Sequence, residues 1–151
     1  NDRRAWVAER MTFDTVNPRA VLLSADGKTL YVADGGTAPG EKRELRAYPI
    51  RDDGTLDHPI VLHTFGGDHR GPHRGIEGMC LDRDGNILAV GGWQRSGPGP
   101  LVHRFAPGGA LIETHPIPAD APNKCCIGGA ELDTIYVTTG GGQLFRAAMT
   151  A

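Results

Sequence analysis

The sequence predicts an all-β fold, and three observations indicate it. Glycine and proline are abundant, at 22 and 11 of 151 residues, stretches with helical periodicity are hard to find, and one hairpin pattern occurs three times. Many short apolar runs separated by glycine and proline are typical of short strands joined by turns. A chain of this length is the size of one domain and can bury a core.

The repeated pattern is an apolar run, a polar turn and a returning apolar strand that ends at glycine. It occupies residues 23–36, 81–92 and 128–142. Asp26-Gly27 and Asp84-Gly85 tolerate the positive φ angles that tight hairpins need. Leu30, Ile87 and Ile135 are equivalent, so the pattern returns after 57 and then 48 residues. Repeats of this length that hold several strands each predict the blades of a β-propeller.

The strand pattern predicts the following divisions: the outer strand of a preceding blade at 1–16, a blade at 17–65, a second blade at 74–118 and a partial last blade at 123–149. Propellers close into rings of typically 4–8 blades. We therefore expect this chain to supply about half of a ring and to pair with a missing N-terminal half. Alone, its exposed blade faces should make it associate.

Charge and apolar runs limit the classes of partner. The 16 Lys and Arg residues nearly balance 18 Asp and Glu, and no basic arm is present, so we expect no nucleic acid partner. No apolar run approaches the roughly 20 residues that span a bilayer, so we expect no membrane partner. The chain starts without a readable targeting signal, which leaves its location open. The three cysteines, Cys80, Cys125 and Cys126, are predicted to be small buried strand residues.

Glu77 is the strongest candidate for a functional residue. It stands between Ile76 and Gly78, at the mouth of a strand that otherwise reads as buried. A buried carboxylate is costly unless a cation lies opposite it, so Glu77 predicts a metal ion, an arginine or a lysine nearby. Two interpretations stay open: a residue of the functional site in a central channel, or an inter-blade salt bridge at the ring entrance.

Three blocks in order carry a resemblance to a known family. "NPRAVLLSADGKTLYVADGG", "RGIEGMCLDRDGNILAVGGW" and "APNKCCIGGAELDTIYVTTGGG" resemble the C-terminal half of the SMP-30/gluconolactonase/LRE-like family. The corresponding family patterns are P-N-G followed by S-P-D-G-K-T-L-Y-V-A-D, then P-D-G-M-x-x-D-x-x-G-N, then T-N-C-C-F-G-G. The resemblance extends from Val16 to Arg146.

This resemblance implies a six-bladed β-propeller that hydrolyses lactones of sugar acids or related small esters. It also implies a divalent cation in the channel, with calcium expected first and zinc or magnesium as alternatives. The family's cation-binding Asp of P-D-G-M falls on Glu77, which would be a metal ligand and the catalytic carboxylate. The Asn of P-N-G falls on Arg19, which weakens the metal site. Asn17, two residues before Arg19, is the nearby candidate ligand.

Arg19 and Lys124 could replace part of the positive charge of a metal. The T-N of T-N-C-C falls on Asn123 and Lys124, so a second cation is expected near the strand entrance. We therefore predict that Arg19, Lys124 and His73 bind a lactone or a sugar-acid anion. His73 precedes the Glu77 strand on a glycine-rich loop with His69 and Arg74 and could carry a proton near neutral pH. An exposed connection between blades is the alternative interpretation of that loop.

Three functions compete on these residues. The first is metal-assisted hydrolysis of a lactone or small ester, in which a carboxylate accepts a proton from water. The second is a non-catalytic or divergent propeller that binds a small anion or a protein partner. The third is a related ester-cleaving or strictosidine-synthase-like propeller with different channel residues.

Overall fold

A computed structural model describes residues 6–149 of the chain. The first sheet is an antiparallel meander with its strands in sequence order: β1 (Pro18–Leu23), β2 (Thr29–Asp34), β3 (Arg43–Pro49) and β4 (Ile60–Phe65). A two-stranded hairpin follows, made of β5 (Gly67–Asp68) and β6 (Gly71–Pro72). It leads into the second sheet.

The second and third sheets repeat the same meander. The second contains β7 (Ile76–Leu81), β8 (Ile87–Trp93), β9 (Ser96–Phe105) and β10 (Leu111–Pro116). The third contains β11 (Pro122–Gly128), β12 (Thr134–Thr139) and β13 (Leu144–Ala148). Residues 6–149 form no helix, so the all-β prediction is confirmed. Consequently, that range also holds no helix able to cross a membrane.

The two Asp-Gly turns form as the dipeptides predict. Gly27 and Gly85 have φ angles of 71° and 81°. The amide of Gly27 donates to the carbonyl of Ser24 at 2.9 Å, and Gly85 donates to Asp82 at 3.1 Å. Only glycine adopts such φ angles without strain, so these positions fix the hairpins that join β1 to β2 and β7 to β8.

The strand predicted over residues 1–16 is not formed by its described part. Residues 6–16 contain no strand, and residues 1–5 lie outside the described residues. Trp6, Val7 and Phe13 are largely exposed. A strand is held by the ladder to its neighbour, and none of the strands in the described range lies alongside this segment. The remaining boundaries, at 17–65, 74–118 and 123–149, stay a prediction for the complete ring.

The core consists of two apolar layers on opposite faces of the second sheet. Ile87 and Ala89 of β8 pack toward the first sheet, in a cluster with Tyr31, Leu45, Phe65, Ile76 and Phe105. Leu88 and Val90 pack toward the third sheet, in a cluster with Val102, Ile117, Ile135 and Val137. Alternate residues of a strand point to opposite faces, so β8 is covered on both sides and reads as a continuous apolar run.

A buried carboxylate clamps the second sheet. Asp82 follows β7 and accepts hydrogen bonds from Asn86, from the backbone of Asp84 and from Nε of Arg104 at 2.8 Å. Burial alone would raise the pKa of Asp82, but the hydrogen bonds from Asn86 and Arg104 outweigh it and lower the pKa below the ordinary value of 3.8. The ionised form is therefore the one that the fold stabilises.

Asp82→Asn should lower the free energy of unfolding by about 2 kcal/mol at pH 7, because it removes a charge-assisted pair with Arg104. The folded-state pKa lies below the unfolded value, so this stabilisation is present above about pH 4 and is lost as the pH falls. The difference between wild type and variant should therefore shrink toward pH 3 in denaturant titrations. Asp84→Asn is the matched control, since Asp84 is exposed and lies 3.5 Å from Arg104. An equal loss in both variants would contradict this assignment.

Candidate functional site

Three inner strands begin with a β-bulge, and two of the bulges hold a predicted site residue. The pairing register shifts at Pro18/Ala20 in β1, at Ile76/Gly78 in β7 and at Pro122/Lys124 in β11. The residues inside the shifts are Arg19, Glu77 and Asn123, one from each sheet. Bulges release a residue from the ladder and redirect its side chain, and they are frequent next to active sites.

Glu77 is held by two guanidinium groups. Nη2 of Arg19 lies 3.1 Å from Oε1 of Glu77, and Nε of Arg74 donates to the same oxygen at 2.9 Å. The Glu77 side chain is 12% exposed, whereas that of Arg19 is 38% exposed. Arg19 comes from the first sheet and Glu77 from the second, so this ion pair joins two sheets at the entrance of their inner strands. The predicted cation opposite Glu77 is therefore an arginine.

Lys124 reaches the same residue from the third sheet. Its Nζ donates to the backbone carbonyl of Glu77 at 3.0 Å. The lysine thus lies at the same strand entrance but contacts the main chain and not the carboxylate. Together, Arg19, Arg74 and Lys124 place three cationic groups around Glu77, two at its carboxylate and one at its backbone carbonyl. Their three positive charges exceed the single negative charge of Glu77. This excess favours an anionic or oxygen-rich ligand at this end of the strands.

Arg74 is the residue that the sequence interpretation undervalued. The alternative interpretation treated its loop as an exposed connection, yet Arg74 is 20% exposed and binds Glu77 three positions away. Its guanidinium also lies 5.8 Å from the centroid of the Trp93 ring. The i, i+3 spacing of a cation and a carboxylate around Gly75 was the available signal. Its geometry depended on the bulge and could not be seen in the sequence.

The main chain of Asn17 is hydrogen-bonded to residues at the end of β2. Its amide donates to Oδ1 of the buried Asp34 at 2.8 Å, and its carbonyl accepts from Gly35 at 3.1 Å. Its side-chain nitrogen lies beside Gly36, 3.2 Å from the position that a Cβ of Gly36 would take. In the part of the chain that the structure describes, no hydrogen bond joins Asn17 to Glu77. A role for Asn17 as a metal ligand stays a prediction.

His73 is held by the short β5–β6 hairpin and not by Glu77. Its Nε2 lies 3.5 Å from Oδ2 of Asp68, and its ring packs against Gly97. Asp68 accepts from the backbone of Gly97 and from Arg70, and these hydrogen bonds hold its pKa well below the ordinary value. His73 therefore faces a carboxylate that stays ionised. Its role in ligand binding stays a prediction.

A crevice of about 300 Å³ connects His73 and Arg74 to the space between the first two sheets. His103 lines it and is buried, and its Nδ1 has no hydrogen-bond partner among the described atoms. Burial lowers the pKa of His103 to about 4, so its imidazole is neutral at pH 7. Arg74 is the residue that borders both this crevice and the carboxylate of Glu77.

A second cavity, of about 370 Å³, lies between the second and third sheets. Asp82, Arg104, Glu113 and Phe145 are among its lining residues. Glu77, Arg19 and Lys124 do not line it. The volume of this cavity exceeds that of the crevice, but among its lining residues Arg104 already pairs with both Asp82 and Glu113. The cluster around Glu77 is therefore the better candidate site.

A comparison with known protein families shows to which family the chain belongs. Residues 2–141 match the SMP-30/Gluconolactonase/LRE-like region family. The chain belongs to this family. The chain is similar to regucalcin of Xenopus laevis, with 30% identity over 117 residues, and to regucalcin of Gallus gallus, with 34% identity over 64 residues. These matches cover 77% and 42% of this chain, and 35% and 20% of the two regucalcins.

Solved structures support the propeller prediction for this family member. A luciferin-regenerating enzyme superposes with a TM-score of 0.64 at 22% identity, covering 86% of this chain and 39% of that one. A calcium-binding regucalcin from Agrobacterium tumefaciens gives 0.59 at 23% identity, covering 83% and 38%. At these identities the similarity shows the fold alone. The chain spans about a third of the length of the frog regucalcin, and the partial-propeller prediction is confirmed.

Proposed function

We propose that the complete protein hydrolyses lactones of sugar acids, or related small esters, at the inner-strand entrance around Glu77. The observation that carries this proposal is the carboxylate of Glu77 beneath the guanidinium groups of Arg19 and Arg74. Family membership and the gluconolactonase in the family description support the same class of reaction. The proposed partner is a small-molecule lactone or the anion of its sugar acid.

The cluster contains the groups that ester hydrolysis needs. Negative charge develops on the carbonyl oxygen as water attacks, and N–H donors with positive charge stabilise it. Arg19 is the more exposed of the two arginines that pair with Glu77, at 38% against 20% for Arg74, and is suited to contact a ligand oxygen. Within the described residues both ion pairs of Glu77 are made to Oε1. Oε2 is therefore the atom that we assign to take a proton from the attacking water.

The residues at Glu77 do not fit the divalent cation that the family resemblance implies. Calcium, zinc and magnesium need several oxygen or nitrogen ligands around one ion. The described part of the chain contains no group of three or more His, Cys, Asp or Glu residues that could hold one. Moreover, the carboxylate of Glu77 already binds two guanidinium groups, and Arg19 stands where the family pattern has asparagine. The ligand is therefore proposed to bind through side chains at this position.

Arg19→Gln tests this assignment in the complete protein. The substitution keeps a polar side chain and removes the positive charge that we place beside the carbonyl oxygen of the lactone. The kcat/KM for glucono-δ-lactone should therefore fall roughly 100-fold. Lactone opening releases acid, which a pH indicator measures continuously. Arg95→Gln is the matched control, because Arg95 stacks on Trp93 at 5.5 Å without an ion pair to Glu77 in the described residues. Equal turnover in wild type and both variants would reject the assignment.

Non-catalytic binding of a small anion is the second candidate function. The excess of three cationic groups over one carboxylate favours it. Such a protein would bind gluconate in calorimetry, lose that affinity with increasing salt and leave the lactone intact. Measuring turnover and gluconate binding on one preparation therefore separates the two candidates.

A further inference from the structure

Two cysteines from different sheets lie in contact. Sγ of Cys80, on β7, is 3.5 Å from Sγ of Cys125, on β11. Both thiols are free and partly buried. The two residues are 45 positions apart, and neither their spacing nor the odd cysteine count indicates that they meet. The contact joins the second sheet to the third near the entrance that holds Glu77 and Lys124.

Close packing of the two inner strands brings the thiols together. A Cβ at Gly78 would lie 2.6 Å from the backbone oxygen of Asn123 and 2.8 Å from Cα of Lys124. Gly78 and Cys80 are two residues apart, so they face the same side of β7 and both point at β11. Sγ of Cys125 also lies 3.7 Å from the carbonyl oxygen of Leu88, which places it between the sheets.

We propose that Cys80 and Cys125 form a reversible disulfide that links the second and third sheets when the protein meets a peroxide. A disulfide has a sulfur–sulfur distance of about 2.05 Å, so the two sulfur atoms must approach by about 1.5 Å. Rotation about the side-chain bonds of two cysteines on strands that already touch supplies a movement of this size. The link would fix the spacing between the strands that carry Glu77 and Lys124.

The oxidation proceeds in two balanced steps. The Cys80 thiolate attacks one oxygen of hydrogen peroxide, the O–O bond breaks, and the hydroxide that leaves takes a proton to become water. The sulfur of Cys125 then attacks the Cys80 sulfenic acid, the S–O bond breaks, and a second water leaves with the Cys125 proton. Two thiols are oxidised and one peroxide is reduced. A dithiol reductant reverses the link by exchange.

The contact itself indicates which thiol reacts first. Its hydrogen bond with Cys125 lowers the pKa of Cys80, although burial opposes the shift. The same hydrogen bond and burial raise the pKa of Cys125. Cys80 is therefore the thiolate that attacks the peroxide, and Cys125 is the thiol that resolves the sulfenic acid.

Cys126 is the third cysteine, and the experiment must distinguish its oxidation from that of Cys80 and Cys125. It is exposed, and it follows Cys125 on a strand, where neighbouring side chains point to opposite faces. Oxidation at Cys126 would give disulfides between two molecules or overoxidised forms of a single cysteine. Trypsin releases residues 75–83 with Cys80 and residues 125–146 with both other cysteines. The variant Cys126→Ser therefore identifies the partner of Cys80 without ambiguity.

The test is peroxide oxidation of the complete protein and of Cys126→Ser, followed by alkylation in denaturant and peptide mass spectrometry. Both proteins should give the 75–83 and 125–146 peptides joined by a disulfide. Because the link closes a long loop in the unfolded chain, their Tm should rise by roughly 5 °C or more, and dithiothreitol should reverse the rise. Cys80→Ser should show neither change.

Two results would overturn the proposal. The first is alkylation of Cys80 and Cys125 in the fully oxidised protein. The second is a disulfide that forms only through Cys126 and disappears in Cys126→Ser. Because both readouts are made on proteins that keep Cys80 and Cys125, the proposal stays testable even if Cys80→Ser does not fold.

Discussion

Glu77→Gln in the complete protein should lower kcat for glucono-δ-lactone at least 100-fold. The substitution keeps the shape of the side chain and removes the proton acceptor, and general base catalysis is typically worth 10²–10⁴-fold. The amide oxygen of glutamine can still accept hydrogen bonds from Arg19 and Arg74 at the position of Oε1. The cluster around Glu77 should therefore keep its arrangement, while the proton transfer from water is lost.

In the same variant the affinity for gluconate should not fall with the turnover. Removing the negative charge leaves Arg19 and Arg74 with no carboxylate to neutralise them, so gluconate should bind equally well or more tightly. A catalytic Glu77 thus predicts slow turnover with retained binding. Glu113→Gln is the control, because Glu113 also pairs with an arginine but lies in the exposed outer strand β10. Unchanged turnover and unchanged affinity in Glu77→Gln would leave Glu77 as an inter-sheet salt bridge.

Local signals in the sequence predicted most of the fold. Asp26-Gly27 and Asp84-Gly85 encode their turns in two residues, and the apolar runs around them encode the strands. The strand predicted before residue 17 is not formed within residues 6–16, because a strand needs a neighbour as well as an apolar pattern. Its sequence contains the pattern, but the described residues contain no strand beside it.

The sequence was enough to name candidate site residues, but it did not reveal their contacts. Glu77 stood out as a carboxylate at the mouth of a strand that reads as buried, and Arg19 as the position on which the asparagine of the family pattern falls. The contact of Arg74 with Glu77 depends on a bulge, which adds one residue to a strand without a marker in the sequence. The contact of Cys80 with Cys125 depends on how two sheets pack, so only the three-dimensional arrangement reveals it.

Gly78 is the residue on which this packing depends, and Gly78→Ala should be strongly destabilising. The new Cβ would lie 2.6 Å from the backbone oxygen of Asn123 and 2.8 Å from Cα of Lys124. Both are main-chain atoms that cannot rotate away, so β7 and β11 must separate. Overpacking of this kind costs about 3 kcal/mol. The Tm should accordingly fall by roughly 6–12 °C in calorimetry of the complete protein.

Gly108→Ala separates this steric effect from the loss of a glycine in general. A Cβ at Gly108 meets nothing within 4 Å, and its φ angle is not in the left-handed region. Its Tm should stay within about 2 °C of wild type. Separation of β7 from β11 should also lengthen the contact of Lys124 with the carbonyl of Glu77 and the contact of Cys80 with Cys125. Gly78→Ala should therefore lose turnover and the peroxide-induced disulfide together. If both were retained with a wild-type Tm, the close approach of the two strands would not be what assembles the site.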